Sequence, residues 1–275
     1  MNYFDAVVLG IVEGLTEFLP VSSTGHLTIV ERVLGLDVAD PAVTGFTGVI
    51  QMGAVVAVIV YFARDIWRIA HAWLLGLVRA EYRGSFDHRM GWYVIVGTIP
   101  IGVVGLLARG FVRHDLRSLW VVALALIGWS AVMWVAERAG RQARHERELG
   151  IRDAVVVGVV QVAALVPGAS RSGATISAGL LRGLDRVAAT RLSFLLSIPA
   201  LLAAGLFELG DVVSGTIGAG ETAVGTVVSF VVAYAAVAWF LRFVGHHSIG
   251  RFVPYRVCLG LALVGLLASG ATSAT

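Results

Sequence analysis

The chain has 275 residues, of which 57% are hydrophobic and only 14% are charged, with a formal net charge of +3. Roughly a quarter of the residues of an ordinary soluble domain are charged, so this composition excludes a soluble fold and predicts a protein that crosses a membrane several times. The single cysteine excludes an intramolecular disulfide and a cysteine-based metal cluster.

The first predicted element is a helical hairpin over residues 5–34, which is apolar but is interrupted by Pro20-Val-Ser-Ser-Thr-Gly25. Proline ends a helix, and glycine and serine favour turns. Each half is therefore shorter than the roughly 17–25 residues that a membrane span requires. We expect two half-helices that enter the membrane and return to the same side. Residues 153–182 repeat this pattern around Pro167-Gly-Ala-Ser-Arg-Ser-Gly173 and predict a second hairpin.

Three uninterrupted apolar segments follow each hairpin, and each is long enough to span the membrane. They are residues 46–63, 90–108, 118–136, 187–208, 222–244 and 252–270. Residues 64–82 predict an amphipathic helix on the cytoplasmic surface. We expect no charge in the middle of any of the six spans.

The two hairpins are copies of each other, because residues 5–36 align with residues 153–184 without a gap. Identical positions include the pairs Asp5/Asp153, Gly10/Gly158, Ser22/Ser170, Gly25/Gly173 and Gly35/Gly183. The chain is thus predicted to be one integral membrane domain (1–275) with repeats at about 1–140 and 150–275. Three spans per repeat is an odd number, so the second repeat is inverted. This predicts an all-α fold whose two broken segments meet near the membrane midplane.

The distribution of arginine predicts the orientation of the chain. Fifteen arginines fall on one side of the predicted spans, and four fall on the other, namely Arg32, Arg109, Arg113 and Arg117. Because cytoplasmic loops are enriched in basic residues, the basic side is predicted to be cytoplasmic. Both termini then lie outside.

Two carboxylates lie within the first half-helix of the first hairpin, at Glu13 and Glu17. Ionisable groups are costly inside a bilayer, so they indicate function. Residues four apart share one helix face, which suggests an oxygen-ligand site for Mg²⁺ or Ca²⁺. A water-exposed helix face and a cation-transport site are the alternatives.

The second break contains Arg171, directly after a Pro-Gly pair and at the start of a half-helix. Free backbone N–H groups and the positive end of the helix dipole favour an anion there. The hydroxyls of Ser170, Ser172 and Thr175 add donors, and the guanidinium suits a phosphate. The alternative is a structural arginine that pairs with Glu17.

The first break contains Ser22, Ser23 and Thr24, followed by His26. A histidine three residues after Ser23 suggests a nucleophile with an acid/base partner. Carboxylates for a cation, an arginine for phosphate, and a serine with a histidine are the parts needed for metal-assisted phosphoryl transfer. The membrane location points to a lipid phosphate as substrate.

Four segments carry a resemblance to a known family: EGLTEFLPVSSTGH (13–26), FTGVIQMGAVVAV (46–58), PGASRSGATIS (167–177) and LSFLLSIPALLAAG (192–205). They resemble the undecaprenyl-diphosphate phosphatases, the bacitracin-resistance family, over the whole chain. The resemblance implies a bacterial inner-membrane enzyme that converts undecaprenyl diphosphate to undecaprenyl phosphate, the lipid carrier for peptidoglycan. It also implies dependence on Mg²⁺ or Ca²⁺ and an active site that opens outward.

Matched to the family's motifs, the acidic pair falls on Glu13 and Glu17 as metal ligands. The catalytic serine, histidine and arginine fall on Ser23, His26 and Arg171, with Glu17 beside them. The expected substrate-binding residues are Ser22, Thr24, Ser170, Ser172, Gly173 and Thr175. Ser23 activated by His26 is the expected nucleophile, while direct attack by His26 and attack by a metal-bound water stay open.

A transporter of polyprenyl phosphate or another anion is the rival function. Inverted repeats with broken helices are common among transporters, and a fold does not determine a function. A flippase would need the arginine but not a nucleophile with an acid/base group. No nucleic-acid partner is expected. The sequence leaves the oligomeric state open, with a homodimer as one option.

Overall fold

The computed structural model describes residues 1–38, 40–108, 110, 118–212 and 217–270. Within these ranges the regular structure is helical, apart from one isolated bridge between Arg144 and Leu184. The all-α prediction is therefore confirmed for the described part of the chain. Its α-helices are α1 (Tyr3–Thr16), α2 (Ser23–Val33), α3 (Pro41–Tyr61), α4 (Ala63–Val78), α5 (Phe86–Leu107), α6 (Leu119–Ala139), α7 (Ile151–Gln161), α8 (Arg171–Leu181), α9 (Arg186–Val212), α10 (Ala219–His246) and α11 (Val253–Ala268).

The six predicted spans are confirmed. Six described helical segments are long and apolar enough to cross a membrane: α3, α5, α6, the first part of α9, α10, and a segment that begins just before α11. Several begin earlier than predicted, because polar caps lie outside the apolar runs. Asp40 caps α3 and Ser85 caps α5, each accepting a hydrogen bond from a backbone N–H. The predicted amphipathic helix is present as α4, with Trp67 and Val78 exposed.

The two hairpins are broken in the same way. In each, the second half-helix begins after a serine with positive φ, which is 79° at Ser22 and 71° at Ser170. Such a conformation is uncommon for residues other than glycine. Each serine Oγ accepts a hydrogen bond from the backbone N–H of the glycine three residues later, Gly25 or Gly173. The serine and glycine that the repeats share therefore form the same helix cap twice.

The two ends of each hairpin lie close together. Arg182, which follows α8, donates from Nε to Asp153 Oδ1 in the first turn of α7 at 2.9 Å. In the first hairpin, Ala6 near the start of α1 and Leu34 after α2 belong to one apolar cluster.

Each hairpin also packs against a span from the other half of the chain. Helix α1 contacts α10, where Gly10 lies against the backbone of Gly225, and α7 contacts α5, where Gly158 lies against Gly97. A methyl group at Gly10 or Gly158 would overlap the facing carbonyl oxygen, so glycine is required for this approach. This reciprocal packing brings the two breaks together in the protein interior.

The last span carries a buried charge near its start that the sequence did not single out. Arg256 in α11 is fully buried. It donates hydrogen bonds to backbone carbonyl oxygens of both breaks, namely Pro20, Gly168 and Ala169. Its position near the start of an apolar run resembles an interfacial arginine. The available signal was its charge, since an arginine within an apolar span is costly unless it has a role.

Candidate active site

The two breaks line one cavity of about 360 Å³. Its polar lining comes mainly from the breaks: Glu17, Ser22, Ser23, Thr24, Ser170 and Arg171. Apart from Gln51 and Thr98, the remaining lining is apolar or small and comes chiefly from α5, from the turn after α7, and from α9. The cavity therefore has a polar end between the breaks and an apolar wall beyond it.

Three of the predicted catalytic side chains form a connected chain at the polar end. Ser23 Oγ donates a hydrogen bond to Glu17 Oε2 at 2.5 Å, and Glu17 Oε1 lies 3.2 Å from Nη2 of Arg171. Glu17 directly follows α1, whereas Ser23 and Arg171 are the first residues of α2 and α8. The ends of three half-helices thus supply the site. A carboxylate that already accepts the serine hydrogen is placed to act as its general base.

Arg171 has the character of an anion-binding residue. Only 8% of its side chain is exposed, and its three guanidinium nitrogens donate no hydrogen bond to the described residues. Buried donors without acceptors cost free energy, so they indicate that a ligand supplies oxygen atoms. The start of α8 adds backbone N–H groups at the same place. A purely structural arginine would account for the ion pair with Glu17 but not for the unfilled donors.

A second cavity of about 170 Å³ adjoins the first and is lined by Glu13. Ser23, Thr24 and Gln51 line both cavities and therefore lie between them. Glu13 is fully buried, which rules out the alternative of a water-exposed helix face. Gln51 was not predicted as a site residue, although it belongs to the 46–58 motif.

The oxygen atoms around the second cavity suit a hard divalent cation. Carboxylate, hydroxyl and amide oxygens are the protein ligands that Mg²⁺ and Ca²⁺ prefer, and this lining contains all three kinds. Among the described residues no three His, Cys, Asp or Glu side chains form a metal-binding group. Mg²⁺ commonly binds through one or two carboxylates together with substrate phosphates. Glu13 lines the second cavity and Glu17 the first, and Ser23 lines both, so the two carboxylates fit as ligands to a cation that the substrate shares.

His26 is not placed as predicted. Its Nδ1 lies 2.7 Å from the carbonyl oxygen of Ser22, and its Nε2 lies 2.6 Å from the hydroxyl of Tyr255. The ring also stacks on Tyr255, and His26 lines neither cavity. Because both ring nitrogens are engaged away from Ser23, the expected Ser23–His26 pair does not form. The side chain hydrogen-bonded to the Ser23 hydroxyl is that of Glu17.

Three of the six predicted substrate-binding residues line the cavities. Ser22 and Ser170 line the first cavity while capping their helices, and Thr24 lines both cavities. All three lie in the breaks, as predicted. They are the residues of this group that a ligand in the first cavity would meet.

The other three, Ser172, Gly173 and Thr175, line neither cavity. Ser172 Oγ donates to the carbonyl oxygen of Leu19 at 2.9 Å, which links the two breaks directly. The Gly173 N–H belongs to the cap of α8, and the hydroxyl of Thr175 lies 2.6 Å from that of Ser193. The polar groups of these three residues are therefore engaged within the protein, and their contact with substrate stays a prediction.

Comparisons with known proteins agree on one family. The family model described as bacitracin resistance protein BacA matches residues 6–262. An undecaprenyl-diphosphatase of Acidothermus cellulolyticus is 59% identical over 272 residues, covering 98% of each chain. Undecaprenyl-diphosphatase 1 of Streptomyces coelicolor is 57% identical over 266 residues, covering 96% of each chain. An undecaprenyl-diphosphatase of a Mycobacterium species is 55% identical over 280 residues, covering the full length of both.

Proposed function

This chain belongs to the bacitracin resistance protein BacA family, and on that premise we propose that it hydrolyses undecaprenyl diphosphate at the polar end of the first cavity. It is a membrane hydrolase that forms undecaprenyl phosphate and inorganic phosphate. This reaction recycles the lipid carrier for peptidoglycan, and the family's role in bacitracin resistance follows from it.

One observation carries the assignment to this cavity. A buried guanidinium with unfilled donors lies beside a serine–carboxylate pair, where a polar end meets an apolar wall. Undecaprenyl diphosphate has the same two parts, since its diphosphate is an anion and its chain is apolar. Arg171 suits the phosphoryl oxygens, and the apolar wall suits the first prenyl units.

We propose that Ser23 is the nucleophile and Glu17 its base. The Ser23 hydroxyl proton passes to Glu17 Oε2 while Oγ bonds to the terminal phosphorus. The bond from that phosphorus to the bridging oxygen breaks, and undecaprenyl phosphate leaves with the proton that Glu17 returns. Glu17 then takes a proton from a water molecule, whose oxygen bonds to the phosphorus of the phosphoserine. The bond from that phosphorus to Ser23 Oγ breaks, Glu17 returns the proton to Oγ, and inorganic phosphate leaves. Arg171 holds the oxygens on which negative charge develops.

We further propose that Mg²⁺ or Ca²⁺ assists this reaction, held by Glu13 and Glu17. When bound, the cation neutralises charge on the diphosphate. Glu17 currently shares its oxygens between Ser23 and Arg171. Phosphate binding would give Arg171 a new partner and leave one Glu17 oxygen for the cation.

The function is tested by incubating purified protein with undecaprenyl diphosphate and Mg²⁺ and measuring released phosphate. We expect one phosphate per lipid, with undecaprenyl phosphate as the other product. The exposed Arg251 supplies a matched control, since Arg251→Met should retain the rate that Arg171→Ala loses. Proteoliposomes that move the intact lipid across the bilayer without releasing phosphate would favour the rival transporter.

We propose that the two halves are inverted repeats with re-entrant hairpins. The shared serine caps, the closed hairpin ends and the reciprocal packing of α1 and α7 support this arrangement. The count of arginines supports a cytoplasmic position for the loops before α5 and α7, with both termini outside. Three of the four arginines predicted to lie outside, Arg109, Arg113 and Arg117, fall outside the described residues.

We propose that the cavity opens to the outer face of the bacterial inner membrane. Irregular backbone at membrane depth is either buried in protein or lines a water-filled cavity, and the outward direction is the one that the resemblance to the family implies. A Ser23→Cys variant in a Cys258→Ser background should therefore react with an impermeant thiol reagent added to intact spheroplasts. Bound substrate should protect it. Labelling only from the cytoplasmic side of inverted vesicles would contradict the outward opening and leave the hydrolase assignment intact.

A further inference from the structure

Arg256 is the one residue outside the two hairpins, among those described, that donates hydrogen bonds to the backbone of both breaks. Nη1 donates to the Pro20 carbonyl at 3.1 Å. Nη2 donates to the carbonyls of Gly168 and Ala169 at 2.9 and 3.2 Å. Its Nε donates to Ser130 Oγ in α6 at 3.1 Å. A single guanidinium therefore connects both breaks to two membrane spans.

The carbonyl groups that Arg256 binds in the two breaks lie two or three residues before Ser23 and Arg171 in the sequence. Pro20 stands two residues before the positive-φ Ser22, and Ala169 stands immediately before the positive-φ Ser170. Ser22 and Ser170 in turn precede Ser23 and Arg171. The arginine thus holds the peptide groups that lead into the nucleophile and into the phosphate-binding residue.

Burying this charge is costly, and the described residues offer it no carboxylate partner. Arg256 is fully buried, and its hydrogen-bond acceptors are neutral oxygens. Its charge is therefore removed from water without being neutralised by a negative group in the described part of the chain. An ionised group that is buried without a counter-charge destabilises the fold, so this arginine is expected to have a role that offsets its burial. A fork of five N–H donors in fixed geometry is the feature that no neutral side chain reproduces.

We propose that Arg256 is a positioning residue that sets the spacing of the two breaks, and so the alignment of Ser23 and Glu17 with Arg171. This inference rests on the proposed function. Arg256 lines neither cavity, so it acts through the breaks and not on the substrate. The hydrogen bond from Ser172 to the Leu19 carbonyl is a second link between the breaks. It holds one carbonyl of the first break, whereas Arg256 holds carbonyls of both breaks.

The test compares Arg256→Met and Arg256→Lys with the exposed control Arg251→Met, measuring kcat and KM separately. A displacement of about 1 Å at reacting groups can cost about 100-fold in rate, so Arg256→Met should lower kcat by about that factor. KM should change little, because the apolar wall of the cavity is untouched. Arg256→Lys should recover only part of kcat, since one ammonium cannot reach both breaks. A wild-type kcat in either variant would overturn the proposal.

A double-variant cycle with Arg171→Lys separates positioning from general loss of structure. If Arg256 acts by aligning Arg171, its replacement should cost far less in the Arg171→Lys background than in the wild type. If the double variant loses the product of the two single-variant factors in kcat, the proposal is overturned. That result is expected when Arg256→Met only lowers the fraction of folded protein, because such a loss is independent of the residue at position 171. If Arg256→Met yields no folded protein, Arg256→Lys carries the same cycle.

Failure of the positioning role and failure of the proposed hydrolase function give different results. Wild-type protein that releases no phosphate would overturn the hydrolase assignment. Active wild-type protein with unchanged Arg256 variants would overturn only the positioning role.

Discussion

Replacing Glu17 with glutamine tests the proposed role of this carboxylate as the base for Ser23. The change keeps the shape of the side chain but removes its charge and basicity. In the structure this carboxylate accepts from Ser23 at 2.5 Å and lies 3.2 Å from Arg171. An amide can still accept the serine hydrogen bond but cannot take the proton. General acid–base catalysis contributes about 10²–10⁴-fold, so kcat should fall by about that factor.

Glu13→Gln is the matched control, because it makes the same chemical change one helical turn earlier. Glu13 lines only the second cavity, whereas Glu17 lines the first and accepts the hydrogen bond from Ser23. An amide oxygen can still coordinate a cation, and the equivalent residue of the second repeat is already Gln161. We expect a milder loss that raised Mg²⁺ largely restores, whereas Mg²⁺ should restore little in Glu17→Gln. Equal losses, or full rescue of Glu17→Gln by Mg²⁺, would refute the reasoning.

Three further predictions follow from the site and its surroundings. Arg171→Ala should reduce kcat/KM by at least about 10²–10³-fold, the typical effect of one lost transition-state donor, and a near-normal Arg171→Lys would show that charge alone suffices. Inorganic diphosphate should show a higher KM than the lipid in the phosphate assay, because it cannot use the apolar wall; equal KM values would contradict this. In the loop before α7, a hydrogen bond to Asp185 raises the pKa of His145 above its ordinary value of 6.5. The stability that this hydrogen bond contributes is fully present below pH 6.5 and is lost as the pH rises through the raised pKa of His145. Asp185→Asn should therefore lower the pH midpoint of the His145 titration, measured by NMR. An unchanged titration midpoint would contradict the pairing.

The features that could be predicted from the sequence are those that local chemistry determines. The breaks follow from proline, serine and glycine within apolar runs, and the six spans follow from hydropathy and length. The aligned hairpins share a serine and a glycine that apolar composition alone would not explain. Each serine, Ser22 or Ser170, caps a half-helix by accepting a hydrogen bond from the N–H of that glycine. The positions of Glu17, Ser23 and Arg171 at one site follow from the meeting of the two breaks.

The features that could not be predicted depend on contacts between distant segments. His26 is held by Tyr255, which is 229 residues away in the sequence, so its spacing from Ser23 was a misleading guide. Arg256 binds backbone carbonyls, which carry no side-chain signature in the sequence. The pairing of Ser23 with Glu17 depends on how the chain folds back across the first break. A helical pattern does not describe that segment.

The most direct test of the central claim is the rate of phosphate release by Ser23→Ala. Ser85→Ala is the matched control, because the Ser85 hydroxyl caps α5 and the residue lines neither cavity. Loss of a nucleophile that works as a unit with its base typically costs more than about 10³-fold, so Ser23→Ala should fall at least that far. Ser85→Ala should lose chiefly the stability of a helix cap, about 1 kcal/mol. Ser23→Ala that retains more than about a tenth of the wild-type rate would contradict a serine nucleophile between the two breaks.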